Sequence, residues 1–127
     1  MQIEDIWPTE IRLKKDRRGL VVAFDTGETF DLSSEYLRVM SPSAEVQGHS
    51  PDERKTVPGK INVEIMKLEP VGNYAIKIDF DDMHDTGIYS WQTLAELGRQ
   101  HDALWARYLS ELQQQGMSRE PAPVPGA

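Results

Sequence analysis

The sequence predicts a single α+β domain, built from a small antiparallel β-sheet, a short helix and a long C-terminal helix. Several short stretches in the first two thirds of the chain alternate apolar and polar residues, which is the period of half-buried strands. From Ser90 onwards the apolar residues recur every three or four positions, which is the period of an amphipathic helix. A length of 127 residues suits one domain with one core.

The strands are predicted as two hairpins with a leading strand at residues 11–13. The stretch "GLVVAFDTGETFDLS" at 19–33 contains two alternating segments around an Asp-Thr-Gly turn, in which Gly27 supplies a positive φ. A second pair of alternating segments, 60–69 and 74–80, flanks the turn residues 70–73. Together these segments predict one sheet of about five short strands.

Two helices follow from capping signals. "SSEYLRVM" at 33–40 begins with serines and a carboxylate and is followed by a proline, which predicts a short helix. The long helix is predicted from its N-cap at Ser90 to about Gln115, with Gly116 as its stop. Residues 41–59 contain few apolar groups and are predicted as a mobile loop. The domain is therefore predicted to span 1–116, and the proline-rich tail 117–127 is predicted to be disordered.

The net charge and the residue composition limit the classes of partner and the kinds of site that we expect. The formal net charge of −7 repels phosphate backbones and anionic membrane surfaces, so neither nucleic acid nor membrane is an expected partner. The sequence has no cysteine, which removes thiolate metal sites and cysteine nucleophiles. No apolar stretch reaches the roughly 18 residues of a membrane span, and the N-terminus lacks the pattern of a signal peptide. The expected location is the cytoplasm.

Four stretches together carry a resemblance to a known family: "GLVVAFDTGETFDLSSEYLRVMSPSAE", the loop ending "QGH", "YAIKIDF" and "DMHDTGIYSWQTL". Over roughly residues 8–97 the chain resembles the DUF971 family, also called the gamma-butyrobetaine hydroxylase-like N-terminal domain. In that family the domain occurs alone in bacteria, at the N-terminus of carnitine-biosynthesis dioxygenases, and attached to Mrp-type ATPases of iron–sulfur cluster assembly. The resemblance implies a non-catalytic accessory or protein-interaction domain, linked to iron–sulfur cluster or metalloenzyme maintenance.

The oxygenase-linked members of the family hold a structural zinc through three cysteines and one histidine. By alignment with them, Ser41, Ser43 and Val46 stand at the cysteine positions, and His84 stands at the position of the zinc-binding histidine. Neither a serine hydroxyl nor valine replaces a thiolate ligand of zinc. The resemblance therefore implies a vacated zinc site, and no cofactor is expected.

The acidic stretch "DFDDMHDTGIYSW" at 79–91 leaves two interpretations of its histidine open. In the first, His84 binds Zn²⁺ or Fe²⁺ together with Asp82 or Asp85 and with His49 from the loop, which would make the chain a metal-binding protein. In the second, the ring only forms hydrogen bonds, within the vacated pocket or with an acidic neighbour, and orients the turn. No catalytic constellation or phosphate-binding glycine pattern is found, so the chain is not expected to be an enzyme.

Aromatic residues supply the candidate partner-binding surface, namely Tyr89 and Trp91 next to the acidic stretch, and Trp105 and Tyr108 on the long helix. Such residues either pack the end of a sheet against the following helix or form an exposed docking patch. An exposed patch would serve an unidentified protein partner or a homodimer.

Overall fold

The structure is a computed structural model that describes residues 5–48 and 53–121. In these residues the chain forms six strands and four helices. In chain order they are β1 (Pro8–Leu13), β2 (Gly19–Phe24), β3 (Thr29–Ser33), α1 (Ser34–Val39), α2 (Ala44–Gln47), β4 (Ile65–Val71), β5 (Ala75–Phe80), β6 (Gly87–Ser90), α3 (Trp91–Arg99) and α4 (His101–Gln114). The predicted α+β class with a C-terminal helix is confirmed.

The strands form two antiparallel sheets of three strands each, ordered β1-β2-β3 and β4-β5-β6. The sequence predicts one sheet of about five strands, and this part of the prediction is wrong. Each tight hairpin is predicted correctly, because turn residues such as Gly27 (φ +90°) act locally. Alternation along a strand does not reveal which hairpins share a sheet, since that depends on contacts between distant segments.

The second sheet starts later than its sequence pattern indicates. β4 begins at Ile65, and residues 61–62 form a turn before it. β4 is an edge strand and tolerates Pro70, which lacks a backbone N–H. Its hairpin turn then covers residues 72–74. On β5 the side chains of Ile76, Ile78 and Phe80 are buried, as the alternation predicts.

Helices α1 and α3 begin where the sequence predicts the short and the long helix. The side chain of Ser33 accepts a hydrogen bond from the Tyr36 N–H at the start of α1, and Ser90 accepts one from the Thr93 N–H at the start of α3. The long C-terminal helix is interrupted at Gln100, which separates α3 from α4. Its apolar periodicity continues through the interruption, so the pattern alone does not show it. None of the helices in the described part of the chain is long and apolar enough to cross a bilayer.

One hydrophobic core joins both sheets to helices α1, α3 and α4. Three buried tyrosines reinforce it, because each hydroxyl donates a hydrogen bond to a backbone carbonyl of a distant segment. The pairs are Tyr36 to Leu97 at 2.6 Å, Tyr89 to Leu37 at 2.5 Å and Tyr108 to Val57 at 2.6 Å. Burial raises the pKa of Tyr36 and Tyr108 to about 12 and raises that of Tyr89 as well. These hydroxyls therefore remain protonated donors.

Parts of the predicted loop and of the predicted tail are ordered by hydrogen bonds. Residues 41–48 of the predicted loop contain α2, whereas residues 49–52 lie outside the described residues. Residues 117–121 of the predicted tail run beside residues 59–61, where the N–H groups of Gly59 and Ile61 donate to the carbonyls of Ser118 and Arg119 at 2.9 and 3.0 Å. The rest of the predicted tail, 122–127, also lies outside the described residues.

Candidate functional site

His84 lies in the turn between β5 and β6, and its side chain is buried. Its Nε2 atom is 2.9 Å from the Ser41 hydroxyl oxygen, and its Nδ1 atom is 2.9 Å from a carboxylate oxygen of Glu45. The residue is 4% exposed. Both ring nitrogens therefore have a hydrogen-bonding partner, and both partners come from the segment that follows α1.

The local structure of that segment explains how the partners reach His84. Ser43 caps α2 by accepting a hydrogen bond from the Glu45 N–H, and its own N–H donates to the Ser41 hydroxyl at 3.2 Å. Gly87, at the start of β6, faces the same hydroxyl. A Cβ atom on Gly87 would come within 2.7 Å of the Ser41 Oγ atom, so the close approach requires glycine. We refer to Ser41, Ser43, Glu45, His84 and Thr86 as the His84 cluster.

The protonation of His84 follows from its surroundings. Burial is the main cause that lowers the pKa of His84, the positive charge of Arg38 lowers it further, and Glu45 opposes both. A neutral ring carries one N–H group. Because the Glu45 carboxylate can only accept, we place that hydrogen on Nδ1, and Nε2 then accepts the hydroxyl proton of Ser41.

A serine, a histidine and a carboxylate in this order have the hydrogen-bond pattern of an activated nucleophile. Such a nucleophile must also be accessible to a substrate. Ser41 is 0% exposed, and its hydroxyl lies against Gly87. As folded, the arrangement serves to join the turn before β6 to the segment after α1.

The three residues that the resemblance aligns with zinc-binding cysteines, Ser41, Ser43 and Val46, do not fit zinc. Ser41 is hydrogen-bonded to His84, and the hydroxyl of Ser43 lies 2.6 Å from that of Thr86. Val46 is 1% exposed and contributes a hydrocarbon side chain to the interior. Structural zinc sites use four strong ligands, mostly thiolate and imidazole, and His84 alone supplies one of that kind. Hydroxyl–hydroxyl and hydroxyl–imidazole bonds connect these positions instead.

The acidic residues predicted to join His84 in a metal site, Asp82 and Asp85, are not hydrogen-bonded to its ring, although one Asp82 oxygen accepts the backbone N–H of His84 at 3.2 Å. One carboxylate oxygen of Asp82 lies 2.7 Å from both the Arg38 Nε atom and the Lys60 Nζ atom. Burial acts to raise the pKa of Asp82, but the hydrogen bonds from these two cations outweigh it and lower the pKa. Asp85 is exposed, and His49 lies outside the described residues. Within residues 5–48 and 53–121, no three His, Asp or Glu side chains are arranged to hold a metal ion.

The predicted partner-binding aromatics have different locations. Tyr89 and Tyr108 are 0% and 1% exposed, so a partner cannot touch them, and they pack the core instead. Trp105 is half-buried against the same core. Trp91 is also half-buried, but it lines an open cavity.

This cavity, which we call the aromatic pocket, has a volume of about 260 Å³. It lies beside the first residue of α3 and the turn between β4 and β5. Its lining consists mainly of aromatic and apolar side chains with one carboxylate. The lining residues are Asp5, Ile6, Trp7, Tyr74, Ser90, Trp91 and Gln92. Trp7 and Tyr74 are 45% and 58% exposed, an unusually open position for large aromatic side chains.

Both indole rings of the aromatic pocket are fixed by a hydrogen bond. The indole N–H of Trp7 donates to a carboxylate oxygen of Asp5, and that of Trp91 donates to the Asn73 carbonyl, both at 2.9 Å. The Tyr74 ring lies against Gly72, where a Cβ atom would be only 3.0 Å from two ring carbons. The two indole rings are thus positioned before any ligand arrives.

The sequence analysis missed Glu45 and most of the aromatic pocket. Glu45 lies in the segment predicted as a mobile loop, although Ser43 followed by a carboxylate in the next turn is a helix N-cap signal that could have revealed α2. No sequence signal connects Trp7, Tyr74 and Trp91, because they lie far apart along the chain and meet only in the folded protein.

Comparison with known proteins identifies the family. The sequence model described as "Gamma-butyrobetaine hydroxylase-like, N-terminal" matches residues 11–95, and the chain belongs to this family. A crystal structure of a protein of unknown function from Acidithiobacillus ferrooxidans ATCC 23270, assigned to the DUF971 family, is 36% identical with a TM-score of 0.60 and covers 72% of this chain and 91% of its own. The resemblance seen in the sequence is therefore confirmed.

Two solution structures determined by NMR are also similar. One is 44% identical with a TM-score of 0.79 and covers 100% of this chain and 96% of its own. The other is 43% identical with a TM-score of 0.78 and covers 95% of both chains. No curated protein matches the chain significantly.

Proposed function

We propose that this chain is a cytoplasmic, non-catalytic accessory domain that binds a protein partner. The observation that carries the proposal is the contrast in exposure between the centre of the His84 cluster and the aromatic pocket. The groups with chemical reactivity, Ser41 and His84, are buried in hydrogen bonds, whereas Trp7 and Tyr74 are exposed around an open cavity. Aromatic residues concentrated at the surface are typical of protein-binding sites.

The surface near the aromatic pocket supports the proposal further. Trp91 contacts the core on one side and lines the cavity on the other, so the cavity is continuous with a rigid part of the fold. Ile88 on the neighbouring strand β6 is 45% exposed. The part of the lining that belongs to β6 and α3, namely Ser90, Trp91 and Gln92, loses little conformational entropy when a partner binds.

The link to iron–sulfur cluster or metalloenzyme maintenance rests on the domain fusions known in the family. It is an analogy and follows from no side chain of this protein. It is useful because it names the proteins to look for first, namely the iron–sulfur assembly factors of the native host.

Site-specific photo-crosslinking in the native host tests the proposal. A photo-reactive amino acid would replace Tyr74 at the aromatic pocket or, as a matched control, Lys15 in the exposed turn between β1 and β2. We expect Tyr74 to give a discrete adduct with one protein that the Lys15 variant does not give. Identical adducts at both positions, or none at Tyr74, would contradict a partner at this surface.

A further inference from the structure

We propose that the aromatic pocket binds an arginine side chain of the partner protein, with the guanidinium stacked on the indole rings and paired with Asp5. This inference rests on the proposed function and specifies the chemistry of the partner. It combines three observations, namely an internal example of the same arrangement, the composition of the pocket and the charge of the chain.

The chain itself shows how such a site is filled. The guanidinium of Arg119 lies over the Trp105 ring, with its central carbon 5.2 Å from the ring centroid. The same guanidinium forms two hydrogen bonds to the carboxylate of Glu35, at 2.9 and 2.7 Å. An arginine that bridges a tryptophan face and a carboxylate is therefore a contact that this fold already uses.

The aromatic pocket offers the same groups without an arginine among its lining residues. Trp7 and Trp91 supply two indole faces, and Asp5 supplies the carboxylate next to Trp7. One Asp5 oxygen accepts the Trp7 N–H, which fixes the carboxylate beside the ring. The lining contains one acidic residue and no basic residue, so its charge favours a cation.

The size of the cavity suits a side chain. Its volume of about 260 Å³ is just below the range of roughly 300–1,000 Å³ for pockets that enclose drug-sized ligands. The guanidinium of arginine is planar and more weakly hydrated than the ammonium of lysine. It therefore loses less hydration free energy when it enters an aromatic site. The formal net charge of −7 also attracts a basic segment of a partner at long range.

The chain provides its own reporters for a binding test. Its three tryptophans each give an indole N–H signal in a two-dimensional ¹H–¹⁵N NMR spectrum. The probe is a blocked arginine, N-acetyl-arginine-N-methylamide, titrated into the whole chain. We expect the Trp7 and Trp91 indole signals to shift and saturate, while the signal of Trp105, whose ring is already covered by Arg119, does not move.

The matched ligand control is the corresponding citrulline derivative, which has nearly the same shape without the charge. We expect it to bind at least about three-fold more weakly, as the loss of one cation–π contact requires. Tetramethylammonium is the second control. Equal binding of the citrulline derivative, tighter binding of tetramethylammonium, or no saturable shift at Trp7 and Trp91 would each overturn the assignment.

Variants locate the binding further. Asp5→Asn keeps an oxygen to accept the Trp7 N–H but removes the charge, and we expect about three-fold weaker binding. Met66→Ala, on the exposed face of β4 and outside the lining, should bind as the wild type does, and a loss equal to that of Asp5→Asn would count against the site. If the arginine probe fails to bind while Tyr74 still crosslinks to a partner in the host, this inference is wrong and the proposed function stands.

Discussion

The His84 cluster and the aromatic pocket lie at opposite ends of the same short strand. Gly87, the first residue of β6, contacts the Ser41 hydroxyl, and Ser90, the last, lines the pocket. The cluster is rich in groups that bind metals or perform catalysis, yet its central residues, Ser41 and His84, are buried. The pocket contains one carboxylate, yet it is open.

The difference shows that reactive residue types do not by themselves indicate a functional site. In the His84 cluster the two buried groups, the Ser41 hydroxyl and the His84 ring, are hydrogen-bonded to neighbours within the chain, so they contribute to stability. In the aromatic pocket the ring faces and a carboxylate are presented to solvent. A partner can gain free energy only by contacting groups of the second kind.

The largest effect that we expect from a test of this comparison is a loss of stability in His84→Ala. The substitution removes a buried ring and leaves the Ser41 hydroxyl without its imidazole partner, which should lower the free energy of unfolding by about 2–4 kcal/mol. Urea denaturation measures it. Met83→Ala, a neighbour that is 89% exposed, is the control and should change the free energy by less than about 0.5 kcal/mol.

The same pair of variants separates the two interpretations of His84. If the residue is a metal ligand, the wild type and Met83→Ala should bind Zn²⁺ or Fe²⁺ stoichiometrically at micromolar concentration, and His84→Ala should not. If it has only a structural role, the metal titrations of all three proteins should be alike. If the free energy of unfolding of His84→Ala is close to that of Met83→Ala, the structural role is contradicted.

A smaller effect is expected from pH. Because the pKa of His84 in the folded protein lies below its ordinary value of 6.5, the unfolded chain takes up a proton first as the pH falls. The free energy of unfolding should therefore be fully retained above pH 6.5 and decrease as the pH is lowered from there towards the folded pKa. The charged groups around the ring are Arg38, Glu45 and Asp82.

Urea titrations at intervals between pH 7.5 and 5, a window set about the ordinary pKa of histidine, measure this slope. His84→Gln should flatten it, whereas His101→Gln, on the partly exposed end of α4, should leave the His84 contribution in place. Asp82 also has a lowered pKa, so the stability that it contributes is lost only as the pH falls below its ordinary pKa of 3.8. That range lies outside this window. An equal slope in wild type and His84→Gln would show that His84 stays in the same protonation state in both folded and unfolded chains.

The smallest effect is expected at the aromatic pocket. Tyr74→Ala removes a ring that is 58% exposed, so the free energy of unfolding should change by no more than about 0.5 kcal/mol. Tyr89→Phe is the comparison, since it leaves the Leu37 carbonyl without its donor and should cost about 1 kcal/mol. A larger loss in Tyr74→Ala than in Tyr89→Phe would show that the pocket is a structural element.

Much of the fold follows from local signals. The Asp-Thr-Gly turn predicts the β2–β3 hairpin, and the serines at 33 and 90 predict the starts of α1 and α3, because caps and turns depend on a few adjacent residues. α2 and the placement of Arg119 were not predicted. α2 is short and its helical signal is weak, and the bond from Arg119 to Glu35 joins segments far apart in sequence.

The sequence by itself determined the α+β class and the family, since each depends on local pattern or on aligned stretches. Only the tertiary structure decided that the strands form two sheets. It alone showed that Ser41 and Glu45 are hydrogen-bonded to the two ring nitrogens of His84, and that Trp7, Tyr74 and Trp91 line one cavity. The physical reason is that burial and access depend on which distant segments pack together.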